Sequence, residues 1–352
     1  MKIRSFLFTA AFIAVLVSSC TGVSEVTRLT GVVNDTTVTA FRITLPSHSI
    51  DTTIEVKDGK FQIELPADRS DYGVIIDKSR KYGTYYISDG TKIKMTFADG
   101  DISVEATSKN SLEAAYDAYV GEIEAIADAG HHNLAKAMEP AIFEAVRANP
   151  DNVVAILVML DAMYVLDPES QLQLIDFIQE PVRSSKFIQA REKEANAQIN
   201  TKEGEMFTDF TVNTVVGYTR SMNPEPIYKE VKFSDYVGKG KYVLVDFWSP
   251  WCGPCRREVP NIIKVYNQYK KKGLDVLSIA VWERQPQSHT IEVAGELGMN
   301  WHHINNAQSI PTEIYGIGGI PHLMLIGPDG TILKRGFHGL DGIQAVVREY
   351  LK

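Results

Sequence analysis

The sequence predicts a multidomain protein in which a small antiparallel β-sandwich and a helical segment precede a C-terminal α/β domain. Three observations predict it. The 352 residues exceed what one domain of about 100–200 residues accounts for. Apolar residues alternate in short segments as far as residue 105, then recur at three- and four-residue steps. From Gly204 onward, near-continuous apolar runs alternate with helical stripes, as in a sheet covered by helices on both faces. These changes of texture set the expected boundaries: a leader at 1–20, a β-rich domain at 21–108, a helical region at 109–200 and the α/β domain at 201–352.

The leader is not fold. Lys2 and Arg4 give a positive start, and Ser5 to Val17 form an apolar run shorter than the ~20 residues a spanning helix needs. It ends in Val17-Ser18-Ser19-Cys20, which resembles a bacterial lipobox and implies lipidation of Cys20 after cleavage. A plain signal peptide with an incidental cysteine is the competing reading. With Cys20 lipidated, the mature chain keeps two free thiols and is held at the membrane by its lipid.

In the β-rich domain, Thr53-Ile54-Glu55-Val56 and Phe61-Gln62-Ile63-Glu64-Leu65 alternate apolar with polar, and Val74-Ile75-Ile76 and Lys92 to Phe97 extend the pattern. Asp58-Gly59, Asp89-Gly90 and Asp99-Gly100 are turn signals. Nothing in this stretch reads as catalytic. In the helical region, Leu112, Ala115, Tyr116, Tyr119 and Ile123 make one stripe, and Ile142, Val146, Val153, Ile156, Leu157, Leu160 and Met163 another. Asn149-Pro150-Asp151 marks a break with Asp151 as the expected N-cap, and Asp167-Pro168 marks a second. His131-His132 does not read as a metal site, because adjacent helical residues diverge by about 100° and no ligand stands at suitable spacing.

The α/β domain opens with a buried strand at Lys241 to Phe247, followed by a helix from about Pro254 to Lys272 in which Pro260 is expected to interrupt and kink the helix after two turns. A second buried strand covers Leu274 to Trp282, and a helix is expected at Ile291 to Leu297. His322 to Ile326 and Thr331 to Arg335 flank a hairpin turn at Gly327-Pro328-Asp329-Gly330. Ile343, Val346, Val347, Tyr350 and Leu351 form a closing amphipathic helix.

The chemistry concentrates at Trp251-Cys252-Gly253-Pro254-Cys255, where the first buried strand meets its helix. A thiol of ordinary pKa about 8.5 is mostly protonated at pH 7, whereas a helix N-terminus favours the thiolate by up to ~2 kcal/mol. Cys252 is therefore expected to be the exposed, attacking thiol, and Cys255, one turn inward, the resolving one. A structural zinc site lacks a second cysteine pair, and His289, His302 and His303 do not supply the spacing. A structural cross-link closing so short a loop removes only about 2 kcal/mol of unfolded-chain entropy, which makes it a poor staple. Asp246 sits in an apolar strand where a charge is costly, so its pKa is expected to rise, fitting it to accept the Cys255 proton. A structural carboxylate is the alternative there.

Val243-Leu244-Val245-Asp246-Phe247-Trp248-Ser249-Pro250-Trp251-Cys252-Gly253-Pro254-Cys255 resembles thioredoxin, and Arg256-Arg257-Glu258-Val259-Pro260 resembles the TlpA/ResA branch of membrane-tethered thioredoxins. Phe207-Thr208-Asp209-Phe210 is similar to the opening motif of that branch, and Gly319-Ile320-Pro321 to the thioredoxin loop that carries a cis-proline. The resemblance covers Gly204 to Lys352, and the β-then-helix arrangement before it resembles Gram-negative envelope lipoproteins of this type. It implies a thioredoxin-like fold and thiol–disulfide exchange without cofactor or metal. Asp246 would be the proton acceptor and Glu258 an active-site acid, with an exposed helix carboxylate as the alternative for Glu258. Trp251, Gly253, Pro254, Ile320 and Pro321 would be the substrate surface, Ile320 pairing its backbone with the client chain. Trp248 is expected as packing. Implied partners are disulfide-bearing envelope proteins and a membrane electron donor, in a lipoprotein facing the periplasm.

A net charge of −8 and the lack of any long Lys/Arg block exclude a phosphate-binding surface, so nucleic acid is not an expected partner. Two rival readings stand beside reductive exchange. One is a peroxiredoxin-type peroxidase, against which Ser249 stands where that family has Thr and a CxxC follows. The other is an envelope binding protein with a vestigial CxxC.

Overall fold

The computed structural model describes residues 25–98, 101–106 and 111–351. The leader, Cys20 and the Asp99-Gly100 turn lie outside the described residues. The chain divides into two compact units, Met1–Gly121 and Glu122–Lys352. Among the described residues no helix is long and apolar enough to cross a membrane.

Among the described residues, the first unit holds eight strands: β1 (Val26–Val33), β2 (Ala40–Leu45), β3 (Ile50–Glu55), β4 (Lys60–Pro66), β5 (Tyr72–Asp77), β6 (Gly83–Ile87), β7 (Lys92–Ala98) and β8 (Asp101–Ala106). They form two four-stranded sheets, ordered β4-β1-β7-β8 and β3-β2-β5-β6. Alternating side chains of both sheets, among them Leu29, Ile43, Ile75 and Met95, share one core. At its centre the Phe97 ring lies 4.4 Å from Phe41 and 5.8 Å from Phe61. Gly31 in β1 is required by this packing, because a Cβ there would fall 1.9 Å from the Phe61 ring. The sandwich departs from the expected all-antiparallel arrangement at one pairing: β1 runs parallel to β7. These strands are far apart in sequence, so no turn signal reports their relative direction. The helix α1 (Leu112–Asp128) follows, with Ser111 Oγ accepting from the Ala114 N–H.

The second unit begins with four helices: α2 (Leu134–Ala148), α3 (Val153–Val165), α4 (Pro168–Ile175) and α5 (Lys186–Asn200). Asn133, Asn152, Asp167 and Ser185 cap them through side-chain oxygens. The cap of α3 is thus Asn152, not Asp151 one residue earlier, because it is the Asn152 oxygen that accepts from the Val154 N–H. His131 and His132 are exposed between α1 and α2.

A hairpin of β9 (Thr211–Tyr218) and β10 (Pro226–Lys232) comes next. The sequence pattern did not announce it, since β10 is mostly exposed and carries no clean alternation. The remaining elements are β11 (Tyr242–Trp248), α6 (Gly253–Tyr269), β12 (Leu274–Ala280), α7 (Gln287–Glu296), β13 (His302–Ile304), α8 (Ile310–Tyr315), β14 (His322–Ile326), β15 (Ile332–Arg335) and α9 (Gly339–Tyr350). Five strands form one sheet, ordered β13-β12-β11-β14-β15, with β11 parallel to β12 and antiparallel to β14. This is a thioredoxin-like fold. Strand periodicity sends Leu244 to the face covered by α6 and α9, and Val243, Val245 and Phe247 to the face covered by Phe210, Phe233 and Tyr315. Pro260 does not interrupt α6, which continues to Tyr269. A proline removes one backbone bond, whereas Val259, Ile262 and Val265 are buried on either side of it and hold the helix to the sheet.

Phe41→Ala should destabilise the first unit by about 3–5 kcal/mol, because its ring touches both neighbouring phenylalanines and the site cannot collapse without displacing them. Urea unfolding followed by hydrogen exchange of the β1 and β7 amides measures it.

Candidate active site

Strand β11 ends at Trp248, and the chain turns through Ser249-Pro250-Trp251 into α6, whose N-cap is Cys252. Cys252 Sγ accepts from the Cys255 N–H at 3.2 Å, so its sulfur occupies the capping position that an oxygen fills at other helices. Cys252 and Cys255 are joined by a disulfide, with their Cα atoms 5.3 Å apart. The expected difference in exposure is not observed: Cys252 is 4% and Cys255 2% exposed. Both sulfurs sit in a small apolar cluster with Trp248, Val259, Val293, Ala294 and Met299. What separates the two cysteines is the capping hydrogen bond and the neighbouring loop, for Cys252 Sγ also lies 3.8 Å from the Ile320 carbonyl oxygen. Ile320–Pro321 is a cis peptide bond.

The surface around the disulfide is formed by residues the sequence singled out. Trp251, Gly253 and Pro254 are exposed, and Ile320 and Pro321 are half-buried. Trp248 is fully buried, as expected for packing. Trp251 is held by its indole N–H, which donates to the Trp282 carbonyl at 3.3 Å, and the Arg284 guanidinium lies 5.7 Å from its ring centre. Trp282 adopts a left-handed backbone with φ of 53°, uncommon for a bulky residue. Gln308 secures that corner: its carbonyl accepts from the Trp282 N–H, and its side chain donates to the Glu283 carbonyl. Trp282, Arg284 and Gln308 carry no sequence motif and were not anticipated. Ser249 is buried, and its hydroxyl donates to the Val281 carbonyl at 2.7 Å.

Beneath the disulfide, period two places Asp246 on the same sheet face as Leu244 and Trp248, the one that α6 covers. Asp246 is buried, and burial is the main cause that raises its pKa to about 7, with the Glu258 charge acting in the same direction. A Ser278 Oγ–H donates to Asp246 Oδ2 at 2.9 Å and opposes the rise, and the Trp301 indole N–H donates to Ser278 Oγ at 2.9 Å. Ser278 is the β12 partner of Asp246 across the parallel ladder. This hydrogen-bonded chain was missed, although a lone serine in a buried apolar run was a usable signal. Glu258 is not an exposed helix carboxylate but a buried one, accepting from the Asn261 side chain and from the Gly339 N–H that opens α9. A carboxylate there meets the positive end of α9. His322, directly after Pro321, has a pKa lowered to about 3, chiefly by burial, so its ring is neutral at physiological pH.

With this geometry in view, the comparisons fall into place. The AhpC/TSA family pattern matches residues 204–335. The chain is 33% identical over 106 residues to the thiol-disulfide oxidoreductase ResA of Geobacillus thermodenitrificans, which covers 30% of this chain and 59% of that protein. It is 30% identical over 132 residues to the ResA of Geobacillus kaustophilus, covering 36% of this chain and 74% of that one. The chain belongs to the ResA family of thiol-disulfide oxidoreductases. It spans 57% of the length of the ResA of Bacillus subtilis. Among solved structures it is similar to the thioredoxin domain of a thiol-disulfide oxidoreductase from Bacteroides vulgatus, at 28% identity and a TM-score of 0.36 over 43% of this chain and 99% of that one.

The raised pKa of Asp246 makes stability depend on pH. Between the unfolded value near 3.8 and the folded value of about 7, the folded state holds a proton that the unfolded state has lost. The contribution is therefore fully present below the unfolded value, falls as pH rises through this window, and is level above it. A displacement of this size corresponds to about 4 kcal/mol at most. Asp246→Asn should accordingly be more stable than the parent by a few kcal/mol at pH 8, with the difference shrinking towards zero at pH 4. Urea unfolding of the oxidised full chain at the two pH values reads it.

Proposed function

We propose that the protein is a reductive thiol–disulfide oxidoreductase acting on disulfide-bearing proteins of the cell envelope. The observation that carries the reading is the Cys252–Cys255 disulfide at the N-terminus of α6, with the Cys252 sulfur in the capping position and beside the Ile320 carbonyl. In the reduced protein the Cys252 thiolate attacks a client disulfide, forming one S–S bond and releasing one client sulfur as thiolate. Cys255, losing its proton to Asp246, then attacks the Cys252 sulfur. The client leaves as a dithiol, Cys252–Cys255 is re-formed, and two electrons have passed to the client. Glu258 sits close enough to raise the Asp246 pKa and so helps match that base to neutral pH. Trp251, Gly253, Pro254, Ile320 and Pro321 form the docking surface.

In this reading Cys20 carries the lipid that holds the chain at the membrane, facing the periplasm, and a membrane donor returns electrons to the disulfide. The β-rich domain at 21–108 and the helical region at 109–200 precede the catalytic domain at 201–352. The match to the AhpC/TSA pattern favours one second reading, peroxide reduction. A peroxide assay separates the two, since oxidation of the reduced protein by hydrogen peroxide faster than by a protein disulfide would select the second.

Two outcomes test the main reading. At pH 7, limited iodoacetamide should modify Cys252 of the reduced protein at least tenfold faster than Cys255, because the α6 N-terminus favours the Cys252 thiolate. Cys255→Ser should then accumulate a mixed disulfide with a protein substrate, and equal alkylation rates would overturn the assignment. The direction of electron flow follows from Gly253-Pro254, the dipeptide of a reductant at about −270 mV rather than of an oxidant near −120 mV. Equilibration with glutathione buffers should give a potential more negative than about −180 mV, the value of a disulfide isomerase.

A further inference from the structure

Helix α5, which precedes the catalytic domain in the chain, packs directly on the segment leading to Pro321. The Gln198 side-chain amide donates to the Gly316 carbonyl at 2.7 Å, and Lys193 pairs with Glu313 of α8 at 2.5 Å. Gly316 has φ of 58°, and a Cβ there would lie 2.6 Å from the Glu194 carbonyl oxygen. A Cβ on Gly318 would lie 2.9 Å from Glu194 Oε1. Gly316 is therefore required by the approach of α5 and by its left-handed backbone, whereas at Gly318 only the end of the flexible Glu194 side chain would have to move. Between α5 and α8 this leaves an open cleft of about 390 Å³, lined by Ala190, Arg191, Lys193, Glu313, Gly318 and Trp282.

Two residues that line the cleft connect to the surroundings of the disulfide. Trp282 accepts the indole hydrogen bond of Trp251, the neighbour of Cys252, and Gly318 stands two residues before Ile320. Gly318 and Gly319 are exposed, and their backbone N–H groups have no partner among the described residues. A cleft of bare glycine backbone and unanswered N–H donors suits peptide carbonyls, the groups an extended polypeptide presents at every residue.

We propose that α5 forms one wall of the client-binding groove, so that an extended client segment flanking the target cysteine runs along Gly318–Gly319 into the cleft between α5 and α8. This rests on Cys252 being the attacking thiol and deepens that reading by making the preceding helical region part of client recognition. The ion pairs Arg191–Glu194 and Lys193–Glu313 leave the walls balanced in charge, so the segment is selected by its extended backbone rather than by net charge.

Lysine footprinting tests it in the full chain. Cys255→Ser is charged with a thirteen-residue peptide bearing one central cysteine as its nitrothiobenzoate disulfide. Cys252 attacks the peptide sulfur, and nitrothiobenzoate leaves as the coloured thiolate. A parallel sample carries glutathione. Acetylation of Lys193, whose side chain is 66% exposed, should fall at least threefold with the peptide and stay level with glutathione, while Lys270, Lys271 and Lys272 are unaffected in both. Release of nitrothiobenzoate without protection of Lys193 overturns the groove and leaves the exchange chemistry standing. Failure of Cys252 to release nitrothiobenzoate overturns both. Protection of Lys193 in the free protein that grows with concentration would assign the cleft to a second copy of the chain and overturn the proposal.

Discussion

The turn from β11 into α6 is the constraint on which the rest of the site depends. A buried central strand must end at Trp248 and a helix must start at Gly253 within a few residues, so Cys252 is left at the one position whose sulfur can accept from a first-turn amide. The hydrogen bond is modest, but the position decides the chemistry: the sulfur faces unpaired N–H groups and the positive end of α6. The spacing of three then brings Cys255 round to close the disulfide.

The same strand carries a buried carboxylate. Asp246 is buried because it shares a face with Leu244 and Trp248 on a central strand covered by α6. Removing a carboxylate from solvent moves its titration towards neutrality, and Ser278 with Trp301 supplies only neutral hydrogen bonds in return. Glu258 remains at the far side, held at the start of α9 by the Gly339 N–H. Two carboxylates in one site thus differ in role because one meets a helix terminus and the other meets hydrocarbon and hydroxyl.

Around this centre, the surface is built from segments distant in sequence. Trp251 comes from the redox turn, Trp282 and Arg284 from the chain after β12, and Ile320 from the loop before β14. Helix α5 packs against the segment before that loop so closely at Gly316 that a Cβ there would lie 2.6 Å from the Glu194 carbonyl oxygen. Helices α2 to α5 therefore share the second compact unit with the thioredoxin-like domain, whereas the first half of α1 falls in the first unit.

By itself the sequence determined the strand-and-helix texture of both halves, the cysteine pair and the buried aspartate, because each is a local pattern: alternation, helical stripe, a spacing of three, or a charge within an apolar run; the loop at Pro321 was legible only through the resemblance of Gly319-Ile320-Pro321 to thioredoxin. It did not determine the parallel pairing of β1 with β7, the burial of Glu258, the continuity of α6 through Pro260, or the near-equal burial of the two cysteines. Each of these depends on what packs against the residue from elsewhere in the chain. The contacts of Ser278, Trp301, Trp282 and α5 escaped the sequence for the same reason: hydrogen bonds between segments 20 to more than 100 residues apart leave no local period to read. The cysteine pair and the aspartate stand in the sequence itself, and tertiary packing decided how deeply each is buried and what stands beside it.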